Sequence, residues 1–144
     1  MILCHSSNIP KGSSSEIWCW DDPGDQKKIN SLLKYVEENS DRLRKEYLKW
    51  IADIGEFRIN GKTVIQNLEF KEGDSFWWLS ALVEKSIYKS PFSDAIRLLA
   101  FNEIILQKKC KALQYIGNSK VLCLSLRDLS AKHGMVFDFK PSGI

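Results

Sequence analysis

Ala112-Leu113-Gln114-Tyr115-Ile116, then Gly117-Asn118-Ser119, an apolar-periodic run over 120–132, Gly134, and Met135-Val136-Phe137-Asp138-Phe139 are the stretch that decides the fold. The first and last pieces are short, apolar and rich in aromatic and β-branched residues, and they read as strands. Gly117-Asn118 stops the first, Ser119 is placed to cap a helix over 120–132, and Gly134 ends it. A strand, a helix and a strand in succession predict a βαβ crossover and a parallel sheet. A sheet whose last strand is 135–139 would present an unpaired edge. The chain is therefore expected to be a piece that continues past residue 144.

Upstream, Ile96, Leu98, Leu99, Phe101, Ile104 and Ile105 predict a helix that is apolar on more than one side. Ser90-Pro91 is a fitting start, because proline at the first helical position loses no needed N–H. Before it, Gly73-Asp74 reads as a stop followed by an N-cap. Phe76, Trp77, Leu79, Leu82 and Val83 then recur at helical spacing, predicting a helix from Ser75 to about Ser86. The two helices would meet at an elbow carrying Glu84, Lys85, Tyr88, Lys89 and Arg97. Partial burial would raise the Glu84 pKa and suit it to act as a general base toward an acceptor hydroxyl. Lys85, Lys89 and Arg97 could counter a phosphate or a sugar carboxylate, and Trp77 or Trp78 could stack on a sugar ring. The structural alternative pairs Glu84 with Lys85 or Arg97 and sends both tryptophans to the core.

The N-terminal half supplies two strands, three helical or hairpin pieces and one acidic turn. Residues 1–5 and Glu16-Ile17-Trp18-Cys19-Trp20 read as strands, and the serine-rich segment between them as a loop. Lys11-Gly12-Ser13 has the wrong order for a phosphate-binding loop. Asp21 and Asp22 close the second strand. Ligands of α/β sheets bind beyond the carboxyl ends of strands, so this pair could hold a sugar hydroxyl or a divalent ion. Turn chemistry and helix capping explain the same two residues without a ligand. Helices are expected over 26–39 and 41–54, with Gly55 as a left-handed cap to the second. That second helix sets Tyr47 and Trp50 beside cations, so a membrane surface and a protein core both suit its apolar face. Asn60-Gly61 predicts a tight hairpin, and 68–70 a further extended piece.

Composition narrows the class. The chain has 144 residues, 44% apolar and 27% charged, with a formal net charge of +3. That size suits one α/β domain, read as 1–73, a Trp-rich elbow over 74–107 and a βαβ unit over 108–144. The charge is too mild to argue for a nucleic-acid partner. No run of apolar residues is long enough to span a bilayer, and the first residues lack a basic segment before an apolar one. The four cysteines, Cys4, Cys19, Cys110 and Cys123, show no C-x-x-C spacing, and only His5 and His133 could add imidazoles. No metal site and no cofactor are expected. Cys19 and Cys123 are read as buried thiols, His5 as lying near a loose terminus, and the setting as reducing and cytoplasmic.

The words Gly73-Asp74-Ser75-Phe76-Trp77-Trp78-Leu79-Ser80-Ala81-Leu82-Val83-Glu84-Lys85-Ser86, Lys89-Ser90-Pro91 and Asp94-Ala95-Ile96-Arg97-Leu98-Leu99-Ala100-Phe101-Asn102-Glu103-Ile104 resemble the bacterial surface carbohydrate biosynthesis proteins, which are glycosyltransferase-like. Tyr47-Leu48-Lys49-Trp50-Ile51-Ala52-Asp53-Ile54-Gly55-Glu56 looks like the same family. The likeness spans roughly 37–105. It implies an N-terminal portion of a longer protein: a Rossmann-like layer with several N-terminal helices, forming the incomplete first lobe of a two-lobed, GT-B-like glycosyltransferase. The implied partners are a glycan acceptor and a nucleotide-activated sugar, with the donor site outside this chain and peripheral contact with the inner face of the cytoplasmic membrane. The likeness carries over no catalytic residue; the reading of the residues themselves makes Glu84 the catalytic base. On that reading Trp77, Lys85, Tyr88, Lys89, Arg97, Asp21 and Asp22 bind substrate. A non-catalytic interaction module of an envelope-glycan complex is the alternative.

Overall fold

A computed structural model describes residues 1–72, 74–75 and 93–142. Its elements are β1 (Ile2–Cys4), β2 (Ile17–Cys19), β3 (Asn30–Ser31), α1 (Leu32–Glu38), α2 (Ser40–Glu56), β4 (Arg58–Ile59), β5 (Lys62–Thr63), α3 (Val64–Asn67), β6 (Glu69–Lys71), β7 (Asp74–Ser75), α4 (Ser93–Gln107), β8 (Ala112–Gly117), α5 (Lys120–Lys132) and β9 (Val136–Pro141), with one 3₁₀ turn at Ser6–Asn8. They fall into two compact units: Met1–Glu38 with Ala100–Ile144, and Asn39–Leu99.

The first unit is a parallel α/β layer. Its five strands lie in the order β3-β2-β1-β8-β9, all parallel. The expected βαβ crossover is β8-α5-β9, in register from Ala112↔Val136 to Gly117↔Pro141. Ser119 Oγ accepts the Leu122 N–H at 3.2 Å and caps α5, while Gly134, at φ +66°, lies just beyond its end. Side chains alternate across the sheet. Leu3, Trp18, Leu113 and Tyr115 point to one face, where the Trp18 ring meets Tyr35 of α1 edge-on at 6.3 Å. Tyr35 donates to Glu103 Oε2 of α4 at 3.0 Å, and Asn102 of α4 bonds His133 at the end of α5 at 2.7 Å. The buried residues Phe101, Ile104, Ile105, Leu122 and Leu126 complete that core. Each such side chain contributes roughly 1.5–3 kcal/mol by burial. On the opposite face Ile2, Cys4, Ile17 and Ile116 are covered by Ile9 and Ile29, which come from loops.

The helix expected over 26–39 is shorter, beginning at Leu32. Ile29 leaves to pack against the sheet, and Asn30 Nδ2 bonds Ile17 O at 3.2 Å, holding 30–31 extended beside β2. Ser31 Oγ then accepts the Lys34 N–H at 3.1 Å and starts the helix. Cys19 is fully buried as expected, but Cys123 is only half-buried, and Cys4 is the second fully buried thiol.

The second unit carries α2, whose Leu43, Tyr47 and Ile51 recur every four residues on one buried face. Trp50 remains 41% exposed. Gly55 is not the left-handed cap: it is buried inside the helix, which closes at Phe57 in an extended conformation with its N–H on Ile54 O. β4 and β5 form the hairpin expected at Asn60-Gly61, both residues having positive φ (54° and 82°). Thr63 and Gln66 cap α3 reciprocally at 3.1 and 2.9 Å. Asp74–Ser75, expected as an N-cap and first helical turn, is instead a strand paired antiparallel with β6. Ser75 Oγ donates to Ile65 O at 2.7 Å, so pairing and this bond override the local capping signal. Among the described residues, no helix is long and apolar enough to cross a membrane.

Candidate functional site

The chain runs outward from β1 to β2 and β3, then returns to the other side of β1 to lay down β8 and β9. The strand order reverses between β1 and β8, and at such a reversal open α/β sheets bind ligands beyond the carboxyl ends of the strands. His5 and Ser6 leave β1 there, and Gly117-Asn118-Ser119 leave β8 toward α5.

Tyr115 lies on β8 at this reversal. It is fully buried, its ring stacks on Phe139 at 5.8 Å, and its Oη lies 2.9 Å from His5 Nε2. Burial pushes its pKa up, opposed by a bond from the Ser119 backbone N–H. Gly117 allows this arrangement. A Cβ there would overlap the Tyr115 ring, lying only 2.9 Å from Cε1.

Asp21 sits one strand over, at the end of β2. It accepts the Ser6 backbone N–H at 2.7 Å and the Ser6 hydroxyl at 2.6 Å, one on each oxygen. The Cys19 thiol adds a third bond at 3.1 Å. Partial burial pushes the carboxyl pKa up, but the Ser6 hydroxyl, Cys19 and Ser6 amide outweigh it and hold the group below its usual range. The neighbouring Cys4 thiol, burial and Asp21 push the Cys19 pKa up. Asp22 has a different role. Its Oδ1 accepts the Gly24 N–H at 2.9 Å, the turn chemistry allowed for in the sequence. Asp22 also borders a cavity of about 800 Å³ lined by Asp25, Asn30, Ser31, Lys34 and Glu37. Carboxylates, an amide and a hydroxyl around one cavity suit a ligand rich in hydroxyl groups.

Of the residues expected to form the site, Asp21 and Asp22 lie together at this edge. Arg97 is half-buried on α4 in the second unit. Glu84, Trp77, Lys85, Tyr88 and Lys89 lie outside the described residues. Sequence reasoning missed His5, Ser6 and Tyr115. His5 is not on a loose terminus but pinned by Tyr115 and by Asn8 Oδ1, which accepts its N–H at 2.8 Å. A serine after a first strand and a tyrosine in a later one carry no local signal of such pairing. Among the described residues, no three His, Cys, Asp or Glu side chains are grouped to hold a metal ion. Comparison with protein-family models, with curated proteins and with solved structures finds no match to this chain.

Proposed function

We propose that this chain is the acceptor-side layer of a glycosyltransferase-like protein of bacterial surface polysaccharide biosynthesis, acting at the cytoplasmic face of the membrane. The observation that carries the reading is Asp21, a carboxylate clamped by Ser6 at the carboxyl edge of a parallel sheet, one residue before Asp22, which lines the polar cavity beyond β2. An ionised, rigidly held carboxylate suits sugar hydroxyls, which donate to it without moving it. The likeness of roughly 37–105 to surface carbohydrate biosynthesis proteins supports the same reading. In the elbow, on the chemistry of its own residues, Glu84 takes the acceptor proton, and Trp77, Lys85, Tyr88, Lys89 and Arg97 hold the substrate. The layer would be the first lobe of a two-lobed, GT-B-like protein, and the nucleotide-activated sugar would sit largely on the other lobe.

Saturation-transfer NMR of the chain with oligosaccharide acceptors tests the binding half. Acceptor signals should appear and weaken about tenfold in affinity in Asp21→Asn. For the chemical half, Glu84→Gln should lower transfer from a nucleotide-activated sugar by roughly a hundredfold or more. Unchanged transfer removes Glu84 from its role, and no acceptor binding ends the reading.

One observation favours a non-catalytic docking module instead. The second unit exposes Leu48, Trp50, Phe57, Ile59, Leu68 and Phe70, more large apolar surface than a solvated face needs.

A further inference from the structure

The loop without a phosphate-binding motif returns as the wall of a second cavity, in the first unit. This cavity, of about 640 Å³, is bordered by Lys11 and Ser13 from the loop before β2 and by Lys27 and Lys28 from the loop after it. Its apolar side is Ile17 and Ile29, which pack into the cluster on the sheet face opposite α1 and α5. No carboxylate lines it, and none of the three lysines is in an ion pair among the described residues. Each of these features is ordinary alone. Together they place three lysines at the border of a concave volume of ligand size with an apolar side.

We propose that this cavity binds a nucleotide. Three like charges around one concavity repel each other, and an anion placed among them removes that cost. Lysine meets phosphate as a mobile point charge, so a phosphate chain satisfies all three without a preformed glycine-rich cradle. The aliphatic side chains of Ile17 and Ile29 suit the flat, weakly polar face of a base. Asp21 does not line the site, but its partner Ser6 does, and the two cavities share Gln26, Lys27 and Ile29 at their borders; the inference needs no sugar transfer. A ligand here could therefore reach toward the hydroxyl-binding cavity.

Calorimetric titration of the full chain with ADP, inorganic pyrophosphate and adenosine tests this. ADP should bind, with pyrophosphate and adenosine each weaker by about tenfold or more. Raising the salt should weaken ADP and leave adenosine unaffected. Lys27→Ala with Lys28→Ala should weaken ADP by roughly tenfold or more. Lys45→Ala with Lys49→Ala, which removes the same charge from α2, should leave it unchanged. The site is overturned if ADP does not bind at millimolar concentration, or if the two double variants weaken it equally. Pyrophosphate binding as tightly as ADP would overturn the nucleoside part. Acceptor-glycan binding that persists without ADP binding would sink this inference and leave the sugar-handling proposal standing. The reverse result would do the opposite.

Discussion

Gly117→Ala is the sharpest test of how the carboxyl end of β8 is packed. Glycine in a strand interior ordinarily costs roughly 0.5–1 kcal/mol relative to alanine, so the substitution would stabilise a typical strand. Gly117 has no positive φ and lies in β8 opposite Pro141, so its backbone conformation does not require glycine. The Tyr115 ring does. A Cβ at position 117 would lie 2.9 Å from Tyr115 Cε1 and closer still to the hydroxyl. Carbon atoms pack at about 3.5–4.0 Å, so the ring must shift by roughly 0.6 Å or more. It is fully buried between His5 and Phe139, and cannot shift without disturbing the 2.9 Å bond to His5 and the stack on Phe139. Overpacking of this kind costs about 1–3 kcal/mol, and weakening the bond about 0.5–1.5 more. A loss of about 2–4 kcal/mol should lower Tm by roughly 10 °C in differential scanning calorimetry. In a Tyr115→Leu background the clash is gone and the same alanine should cost almost nothing, giving a large coupling energy in the double-mutant cycle. Equal costs in both backgrounds, or a Tm for Gly117→Ala at or above that of the parent, would refute the argument.

Two further outcomes follow from the neighbouring groups. The Asp21 carboxyl is held below its usual value in the folded chain, so its stabilising contribution is complete above the unfolded pKa, near about pH 4, and is lost as pH falls through the folded pKa. The Tm gap between the parent and Asp21→Asn should therefore be steady above about pH 5 and close on acidification; a gap that widens in acid would contradict the Ser6 clamp. The thiols should separate by environment, with Cys110 reacting with a disulfide reagent well before the fully buried Cys4 and Cys19. Early labelling of Cys19, whose pKa is pushed up by Cys4, burial and Asp21, would contradict its placement.

The parts of the fold that were readable from the chain are those with local causes. α5 has its own cap in Ser119 and its own stop in Gly134, and the Asn60-Gly61 turn needs only the left-handed tolerance of two adjacent residues. β3 and β7 were not readable. Each has two residues, and neither is extended on account of its own propensity: Asn30–Ser31 exists because β2 lies beside it, and Asp74–Ser75 because β6 does. At the site, Asp21 was legible as a carboxylate closing a strand. Its partner Ser6 lies 15 residues away, and the His5–Tyr115 pair spans 110.

Alternation of strand and helix in the last third was enough to require parallel pairing, because a strand-helix-strand unit of this length can return to the same sheet edge only in that direction. Composition likewise bounded size and class. Strand order belongs to the folded chain alone: β8 joins β1 on the side away from β2 because Leu3 and Tyr115, far apart in sequence, bury the same face together. That choice creates the reversal between β1 and β8 and brings His5 to Tyr115, while the pairing of β1 with β2 brings Asp21 to Ser6 and sets Lys11, Lys27 and Lys28 around one cavity. Local propensity acts over a few residues, whereas the position of a strand in a sheet is decided by which distant side chains can be removed from water at once.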